Sequence, residues 1–490
     1  MSQLALLLAG VILGMLIGVI PGLSGRVGLA LLLPFIVHLS PGNALALMVG
    51  VHAITNTSDT IPAVLFGIPG TSGTTATILD GYPMAKKGEA ERAFGAAFIA
   101  SAIGGIIGAF TLLAAIPVIR PLILTFGNAE LFMTVVLAIV MVALLTSRGA
   151  PIKALIAGAL GLMIGMVGEA PVTAVERWTF DIPYLWDGLP LIPIALGLFA
   201  IPEFIDMTLG GSKIAAVELQ KQVSTKWKGV RDVVENWSLV VRSSLLGTWI
   251  GILPGLGSPP AVWLSYSHAV QTSKEKEGFG KGDVRGVIAP EAANNASDSG
   301  SFVLTLAFGI PGSTTMALIL AALLILGLSP GPKMLTEHLD LTLVIVWSLI
   351  LANLIATSLC FAFARQLARV TSLPVQYLFP VLTVIVFVAA YQNSAQWGDL
   401  LVLVGFSLLG VSMKRLGWPR PPLIVGIVLQ RLSEVYFALT TQIYGSSWVT
   451  RPLVIVLFLL IVATLVHAIL RQQRERLSTA EERAPARSGN

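Results

Sequence analysis

Residues 56–75 read NTSDTIPAVLFGIPGTSGTT, and residues 295–315 read NASDSGSFVLTLAFGIPGSTT. Each stretch has an Asn-x-Ser-Asp motif, an apolar run, and then Phe-Gly-Ile-Pro-Gly followed by hydroxyl side chains. Proline removes a backbone donor and glycine tolerates positive φ, so Pro-Gly inside an apolar run breaks a helix. The two stretches therefore predict two broken helices of the same kind in one chain.

A third motif precedes each of these stretches. Residues 13–23 read LGMLIGVIPGL and residues 246–256 read LGTWIGILPGL, which are identical at seven of eleven positions. Three motifs that recur in the same order indicate an internal duplication. We predict a first repeat over residues 1–236, a second over residues 237–470, and a charged cytoplasmic tail over residues 471–490.

The composition places the chain in a membrane. Of its 490 residues, 55% are hydrophobic and 12% are charged, whereas soluble domains have roughly 25% charged residues. Apolar runs near the length of a membrane helix, about 20 residues, recur from residue 4 to residue 470, and the first of them is interpreted as a membrane segment. The sequence predicts an all-α polytopic membrane protein with about 12 to 15 membrane segments, some of them broken or re-entrant.

The charges of the loops indicate that the repeats are inverted. In the first repeat the basic loop, with Lys86, Lys87 and Arg92, follows the third motif, whereas in the second the basic loop 274–285 lies between the first two motifs. Because basic loops stay in the cytoplasm, equivalent loops lie on opposite sides of the membrane. The loops predicted to be cytoplasmic are 86–92, 213–231, 274–285, 365–369 and 414–420, and those predicted to be external are 168–188, 329–340, 391–398 and 440–450. The C-terminus is then cytoplasmic and the N-terminus periplasmic.

Broken helices in matching places of inverted repeats are typical of the binding sites of secondary transporters. Freed N–H groups attract anions, and freed carbonyl and hydroxyl oxygens suit Na⁺. The residues predicted to bind substrate are Gly22, Ser24, Asn56, Thr57, Ser58, Gly70, Thr71, Ser72, Gly255, Gly257, Asn295, Ser297, Gly312, Ser313 and Thr314. The residues predicted to couple transport to an ion are Asp59, Asp298 and Glu291, because intramembrane carboxylates are functional by default. Na⁺ is expected near Asp59 and Asp298, and no other metal or cofactor is expected.

Simpler interpretations stay open for several of these residues. Asp59 and Asp298 could cap half-helices. His52 stands at the same offset from the first Asn-x-Ser-Asp motif as Glu291 does from the second, and it is either a protonation site or a packed histidine. Arg26 could pair with an anionic substrate or extend to the membrane interface.

Four stretches resemble the large permease subunit of the tripartite tricarboxylate transporter family (TctA-like). They are residues 18–35, 56–93, 251–270 and 290–313, and the resemblance extends over nearly the whole chain. It implies a multi-pass protein of the bacterial inner membrane that imports di- and tricarboxylates such as citrate, driven by a Na⁺ or proton gradient. It also implies two partners, a small membrane subunit (TctB-like) and a periplasmic solute-binding protein (TctC-like).

Other functions fit the sequence less well. The alternative is an ion-coupled transporter of another solute that works without a binding protein. A channel would need a continuous polar pore, whereas polarity here is concentrated in two central patches. Residues 22–25 spell Gly-x-Ser-Gly, which in a membrane chain suggests an intramembrane serine protease, but residues 255–258 do not keep the serine in register, which disfavours an enzyme. A phosphate-binding loop is missing from the sequence, so ATP hydrolysis by this chain is not expected. The net charge of +5 reflects topology and does not indicate a nucleic-acid partner.

Overall fold

A computed structural model describes residues 2–20, 24–146, 150–209, 225–370, 375–392 and 394–483. These residues are almost entirely helical. The exception is a short antiparallel hairpin of β1 (Gly168–Glu169) and β2 (Glu176–Arg177), in which Gly168 pairs with Arg177. The predicted all-α polytopic membrane fold is confirmed.

The first 236 residues contain eleven α-helices in the described segments. These are α1 (Gln3–Val19), α2 (Gly25–Ile36), α3 (Pro41–Ser58), α4 (Thr60–Phe66), α5 (Ile78–Lys86), α6 (Ala90–Ile123), α7 (Asn128–Thr146), α8 (Pro151–Gly165), α9 (Leu191–Ala195), α10 (Ile201–Leu209) and α11 (Lys226–Glu235). A π-helix, Leu196–Ala200, joins α9 to α10, and short 3₁₀ turns lie at Ser72–Thr74 and Pro183–Leu185.

The rest of the chain contains ten α-helices in its described segments. These are α12 (Trp237–Ile252), α13 (Ser258–Thr272), α14 (Arg285–Phe308), α15 (Thr314–Ile325), α16 (Pro332–Thr336), α17 (Leu339–Val370), α18 (Val375–Tyr391), α19 (Trp397–Arg415), α20 (Pro421–Tyr444) and α21 (Pro452–Arg483). A 3₁₀ turn at Ser447–Thr450 precedes α21, which extends into the predicted tail. Residues 484–490 lie outside the described residues.

Four described helices, α6, α17, α19 and α20, are long and apolar enough to cross a membrane. The shorter apolar helices of 10–17 residues include α1, α2, α8 and α15. Several of these end at Gly/Pro motifs, as the sequence predicts. The helix α1 ends at Val19 and α2 begins at Gly25, while the break itself, residues 21–23, lies outside the described residues.

The chain forms two compact units. Unit 1 comprises Met1–Ile123 and Pro190–Val411, and unit 2 comprises Leu124–Leu189 and Ser412–Asn490. Each unit thus contains segments from both predicted repeats. The assignment of the two repeats, and their relation by inversion, stay predictions.

In unit 1, glycines of the duplicated motif allow pairs of helices to pack backbone against backbone. A β-carbon at Gly14 of α1 would lie 2.6 Å from the carbonyl oxygen of Val51 in α3. At Gly247 of α12 it would lie 2.4 Å from the carbonyl oxygen of Ala293 in α14. Since real β-carbons do not approach oxygen so closely, these two helix pairs require glycine at these positions.

Unit 2 is built from α7, α8, α20 and α21. Gly161 of α8 approaches the backbone of α20 so closely that a β-carbon would lie 2.2 Å from the carbonyl oxygen of Leu423. At the start of α7, Glu130 is buried and accepts a hydrogen bond from Arg451 at 2.6 Å. The packing of small residues and this ion pair hold the four helices together.

Several loops predicted to be cytoplasmic meet at one end of unit 1. Lys87 donates to the carbonyl oxygen of Lys281 at 2.6 Å, Arg92 makes two hydrogen bonds to Asp232, and Arg365 pairs with Glu91. Loops that share one side of a membrane have to share one end of the protein. The grouping therefore agrees with the predicted topology, although the side on which they lie stays a prediction.

A buried carboxylate fastens α5 to the loop between α13 and α14. Asp80 of α5 accepts hydrogen bonds from the hydroxyl group of Tyr266 at 2.9 Å and from the backbone N–H groups of Gly282 and Asp283 at 2.8 and 2.9 Å. Asp80 is fully buried. The helix of one predicted repeat is thus bound to a loop of the other.

The inverted arrangement predicts that Lys87 and Lys333 lie on opposite sides of the membrane. Both side chains are exposed, and the single cysteine, Cys360, is buried. In a Cys360→Ser background, we expect an impermeant maleimide added to intact cells to label Lys333→Cys and not Lys87→Cys. Labelling of both, with lysed cells as the control, would refute the inversion.

The close packing of α12 on α14 predicts that Gly247→Ala is destabilising. Overpacking by one methyl group has an effect of roughly 1–3 kcal/mol, whereas a β-carbon at Gly405 of α19 would meet nothing within 4 Å. We expect Gly247→Ala to lower the apparent melting temperature in detergent and Gly405→Ala to leave it unchanged or raise it slightly. Equal effects of the two substitutions would contradict the packing described.

Candidate functional site

Asp59 lies where the helix of the first repeat is interrupted. The helix α3 ends at Ser58 and α4 begins at Thr60, and Pro62 has no N–H to donate to the carbonyl of Ser58 four residues earlier. Asp59 is fully buried and accepts a hydrogen bond from Thr71 at 2.5 Å. Within the described part of the chain, its second oxygen, Oδ1, has no hydrogen-bond partner, and neither has the buried hydroxyl group of Ser58. The break therefore gathers oxygen atoms whose bonding capacity is unused.

The segment after α4 returns Thr71 to this break. Gly67 ends α4 with a left-handed backbone, φ 65°, and in the second repeat Gly309 ends α14 in the same way, with φ 67°. Gly70 then passes so close to Asp59 that a β-carbon would lie 2.6 Å from the β-carbon of Asp59. These glycines allow the tip to fold back onto the helix that precedes it.

The glycine contacts also define which residues of the two repeats are equivalent. Gly18 packs on the carbonyl of Thr55 and Gly251 on that of Ser297, while Gly70 packs on Asp59 and Gly312 on Ser301. The contacted residues, Thr55 and Ser297 in one comparison and Asp59 and Ser301 in the other, are both 242 residues apart in the chain. The pair Val51 and Ala293, contacted by Gly14 and Gly247, has the same offset. The Phe-Gly-Ile-Pro-Gly motifs at Phe66 and Phe308 have the same offset, whereas the Asn-x-Ser-Asp motifs are offset by 239.

The predicted pairing of the two Asn-x-Ser-Asp motifs is therefore wrong by three residues. In the structure Asn56 is equivalent to Asp298, and Asp59 is equivalent to Ser301. The pairing of His52 with Glu291 is wrong for the same reason, since His52 is equivalent to Asn294. The offset of 242 holds on both sides of the interruption at Asp59, so the same four letters occupy different positions in the two repeats.

Equivalent residues of the two repeats meet at the centre of unit 1. The side-chain amide of Asn56 donates to Oδ2 of Asp298, and Nε2 of His52 lies 3.4 Å from the same oxygen. The equivalent of His52, Asn294, donates to the backbone carbonyl of Asn56 at 3.2 Å. The contact of His52 with Asp298 is thus matched by the contact of Asn294 with Asn56, its equivalent under the offset of 242. A pseudo-two-fold relation between the repeats would produce such a reciprocal pair of contacts.

A second set of amides lies beside this centre. Asn295 donates to the hydroxyl group of Thr57 at 3.0 Å and to the side-chain oxygen of Asn353 in α17 at 2.9 Å. The side-chain oxygens of Asn294 and Asn295 are buried and accept no hydrogen bond from the residues that the structure describes. These free acceptors add to the unused oxygens at the break.

Glu291 is held by the first repeat in a different manner. Its carboxylate accepts hydrogen bonds from Thr77 at 2.7 Å and from Thr60 and Ser101 at 2.9 Å each. The three donors come from the start of α5, from α4 and from α6. Glu291 therefore links three elements of one repeat to α14 of the other.

The starts of α13 and α15 converge in the second repeat. The N–H of Gly257 donates to the carbonyl of Gly312 at 3.3 Å, and Ser313 caps α15 by accepting from the N–H of Met316. Gly255 and Gly257 have φ of 72° and 60°, which favours glycine at both positions. At the start of α2 in the first repeat, Ser24 is buried, and its hydroxyl group neither caps the helix nor bonds to another of the described residues.

The structure brings together many of the predicted site residues. Asp59 with Thr71, Asn56 with Asp298, Thr57 with Asn295, and Gly257 with Gly312 and Ser313 are in contact. Ser297 bonds within its own helix to the carbonyl of Asn294, Ser72 is exposed, and Thr314 is half-buried at the start of α15. Gly22 lies outside the described residues.

Five of the residues above were not predicted from the sequence as members of the site. Asn294 and Asn353 are adjacent to predicted members, and isolated amides in apolar helices were the available signal. Thr60, Thr77 and Ser101 contact Glu291 from positions 190 to 231 residues away. No local pattern indicates such contacts.

The site contains three buried carboxyl groups, those of Asp59, Glu291 and Asp298. None of them makes an ion pair with a lysine or arginine in the described part of the chain, and His52 is the nearest group that can carry a positive charge. A buried charge without a partner is strongly disfavoured. Carboxyl groups in such surroundings are candidates for holding protons or cations.

The tripartite tricarboxylate transporter TctA family has a sequence model that matches residues 4–425. The chain belongs to this family. Membership places it among transporters and among membrane proteins, as the apolar helices do. The family takes its name from assemblies of three components, of which a TctA subunit is one.

Two relatives come from Agrobacterium vitis. An uncharacterized 52.8 kDa protein in the TAR-I ttuC' 3' region is 32% identical over 480 residues, which cover 96% of this chain and 95% of the relative. An uncharacterized protein in the TAR-II ttuC' 3' region is 30% identical over 233 residues, which cover 47% of this TctA chain and 96% of the relative. No solved structure matches the chain.

The register of the repeats predicts that Asn56 and Asp298 can be exchanged. Asn56→Asp alone places two carboxyl groups in contact, and Asp298→Asn alone replaces the charged acceptor by a neutral amide oxygen, so both should lower the apparent melting temperature. We expect the double variant to recover most of this loss, because it restores one amide and one carboxyl group at equivalent positions. If the two single effects simply add, the proposed equivalence is refuted.

Proposed function

We propose that this TctA protein is the large membrane subunit of a secondary transporter that imports di- and tricarboxylates by symport with Na⁺ or protons. The observation that carries the proposal is the group of three buried carboxyl groups without a lysine or arginine partner. A carboxylate substrate would be repelled by such a centre. The repulsion disappears when the centre holds cations or protons, so binding of the ion favours binding of the substrate.

The interruption at Asp59 supports a Na⁺ site. Na⁺ prefers oxygen ligands, and unwound carbonyls at broken helices supply them in secondary transporters. The free Oδ1 of Asp59, the hydroxyl group of Ser58 and the carbonyl of Ser58 that Pro62 leaves without its helical donor are all of this type. We assign the first ion to these atoms.

Asp298 is suited to a second ion or to a proton. Its Oδ2 accepts from Asn56 and lies close to His52, so the protonation of either group changes the charge of the pair. Glu291 is satisfied by three hydroxyl groups, which favours a role in holding the repeats together over direct coupling. Of the three residues predicted to couple transport to an ion, we thus propose Asp59 as a Na⁺ ligand, Asp298 as a group that binds a second ion or a proton, and Glu291 as a structural residue.

The helix starts support a site for the carboxylates of the substrate. The N-termini of α2, α13 and α15 carry partial positive charge. The starts of α2 and α15 also have N–H groups without helical partners, whereas Pro259 and Pro260 have none to offer at the start of α13. Ser24 and the glycines at positions 257 and 312 leave these N–H groups uncovered by large side chains. A substrate with two or three carboxylates could contact more than one start at once, which favours di- and tricarboxylates over smaller anions.

Family membership supports the partners and the location. A tripartite system includes a small membrane subunit and a periplasmic solute-binding protein, and we propose that this chain sits with the former in the bacterial inner membrane. We propose a cytoplasmic C-terminus and a periplasmic N-terminus, and transport without enzymatic chemistry. The alternative is an ion-coupled transporter of another solute that needs no binding protein.

We expect uptake in proteoliposomes to require an ion gradient and to proceed without ATP. Asp59→Asn or Asp298→Asn should abolish gradient-driven uptake of citrate or a related carboxylate while the protein stays folded. Asp399→Asn is a matched control, because Asp399 is buried at the start of α19, away from the site. Radiolabelled uptake with imposed Na⁺ and pH gradients measures the effect, and normal coupling in the Asp59→Asn/Asp298→Asn double variant would refute the proposal.

The amides of the site should act mainly on substrate affinity. Loss of a hydrogen bond to a charged group corresponds to roughly 1.5–3 kcal/mol, so Asn56→Ala or Asn295→Ala should raise the KM for substrate about tenfold or more. The dependence on ion concentration should change less.

A comparison of uptake with and without added periplasmic binding protein separates the tripartite mechanism from the alternative, since efficient uptake by the permease alone would favour the alternative.

A further inference from the structure

Arg431 lies near the middle of a helix long enough to span the membrane. The helix α20 has 24 residues, or about 36 Å, and it begins just after the basic residues of loop 414–420 and ends at Tyr444. Arg431 is about 15 Å from its start. The side chain is exposed, and it makes no ion pair or hydrogen bond with any residue in the described ranges. An arginine at such a depth is strongly disfavoured against lipid.

The acidic group nearest to Arg431 along the helix is already engaged. Glu434 accepts hydrogen bonds from both terminal nitrogens of Arg177, at 2.9 and 3.1 Å, and from Gln430 at 2.7 Å. The guanidinium of Arg431 is therefore left without a counter-charge within unit 2. The missing partner has to come from outside the described part of this chain.

The loop that carries Arg177 gives a second, independent indication. This loop, residues 168–188, reaches α20 one turn beyond Arg431, and irregular backbone at membrane depth is tolerated only against protein or water. It exposes large apolar side chains, with Trp178 59% and Phe180 75% accessible. Both residues have left-handed backbone, φ 56° and 50°, which bulky residues rarely adopt. Exposed aromatic side chains, on a loop that contacts the helix one turn from an arginine without a partner in the described residues, fit the core of a protein interface.

We propose that Arg431, Trp178 and Phe180 form the docking surface for the small membrane subunit, which presents an aspartate or glutamate from a membrane helix to Arg431. The existence of that subunit rests on the proposed function, and the location rests on the geometry of unit 2. Lipid tails offer no counter-charge at this depth. A second copy of the chain is a poor fit, because a two-fold contact centred here would bring the same arginines together and Glu434 is occupied by Arg177.

The proposal is tested with the small subunit co-expressed with the full chain. A photoreactive benzoylphenylalanine is placed at position 178 or 180, which leaves Arg431 in place, and as a control at Leu459, an exposed residue of α21. We expect irradiated membranes to give an adduct with the small subunit from positions 178 and 180 and not from 459. Adducts only with lipid, or only with a second copy of this chain, would overturn the proposal.

Substitutions at Arg431 test the charge. We expect Arg431→Leu and Arg431→Glu to reduce the small subunit that co-purifies at least tenfold, whereas Arg431→Lys should retain most of it. A symmetric gel-filtration peak confirms that each variant is folded. If the unsubstituted chain retains the small subunit and all three variants do so equally, the docking surface is wrong although the tripartite assembly stands. If the unsubstituted chain retains no small subunit, the proposed assembly is wrong as well. The proposal of carboxylate transport is tested separately, by the uptake assay.

Discussion

A helix that is interrupted inside a bilayer exposes backbone groups that lipid cannot satisfy, so the protein has to surround every such interruption. Pro62 creates one of them at Asp59 in unit 1. Gly70 and Thr71 fold back over the break, α14 packs beside it, and Gly18 allows α1 to approach it closely. Much of unit 1 can be understood as the enclosure that this interruption requires.

The two repeats perform this task with different chemistry. Where the first repeat has Asp59, the second has Ser301, whose hydroxyl group bonds to backbone carbonyls of Gly251 and Ser297. Where the second repeat has Asp298, the first has the neutral Asn56. The duplication has thus kept the backbone pattern while distributing the carboxyl groups unequally, so each repeat supplies one carboxyl group that the other lacks at that position.

The sequence was sufficient for the membrane class, the helical fold and the duplicated breaks, because each follows from local composition or from Gly and Pro. Most of the residues that meet at the centre of unit 1 were among those predicted from the sequence. The register was predicted wrongly, because the letters Asn-x-Ser-Asp recur three residues away from the positions that pack alike in the two repeats. The contacts of Glu291 with Thr60, Thr77 and Ser101 could not be predicted either, because long-range packing decides them. The division into two units, which combine segments of both repeats, has no signal in the motifs.

The three hydrogen bonds of Asp80 hold α5 against α13 and the loop that follows it, so these elements are expected to move together. The helix α5 is only nine residues long, and the tip that carries Thr71 directly precedes it. A displacement of the loop after α13 is therefore expected to move α5, and with it Thr71, whose hydroxyl group bonds to Asp59. Binding at Asp59 and the position of this loop should therefore change together. A probe attached to the loop would then report binding at the buried site.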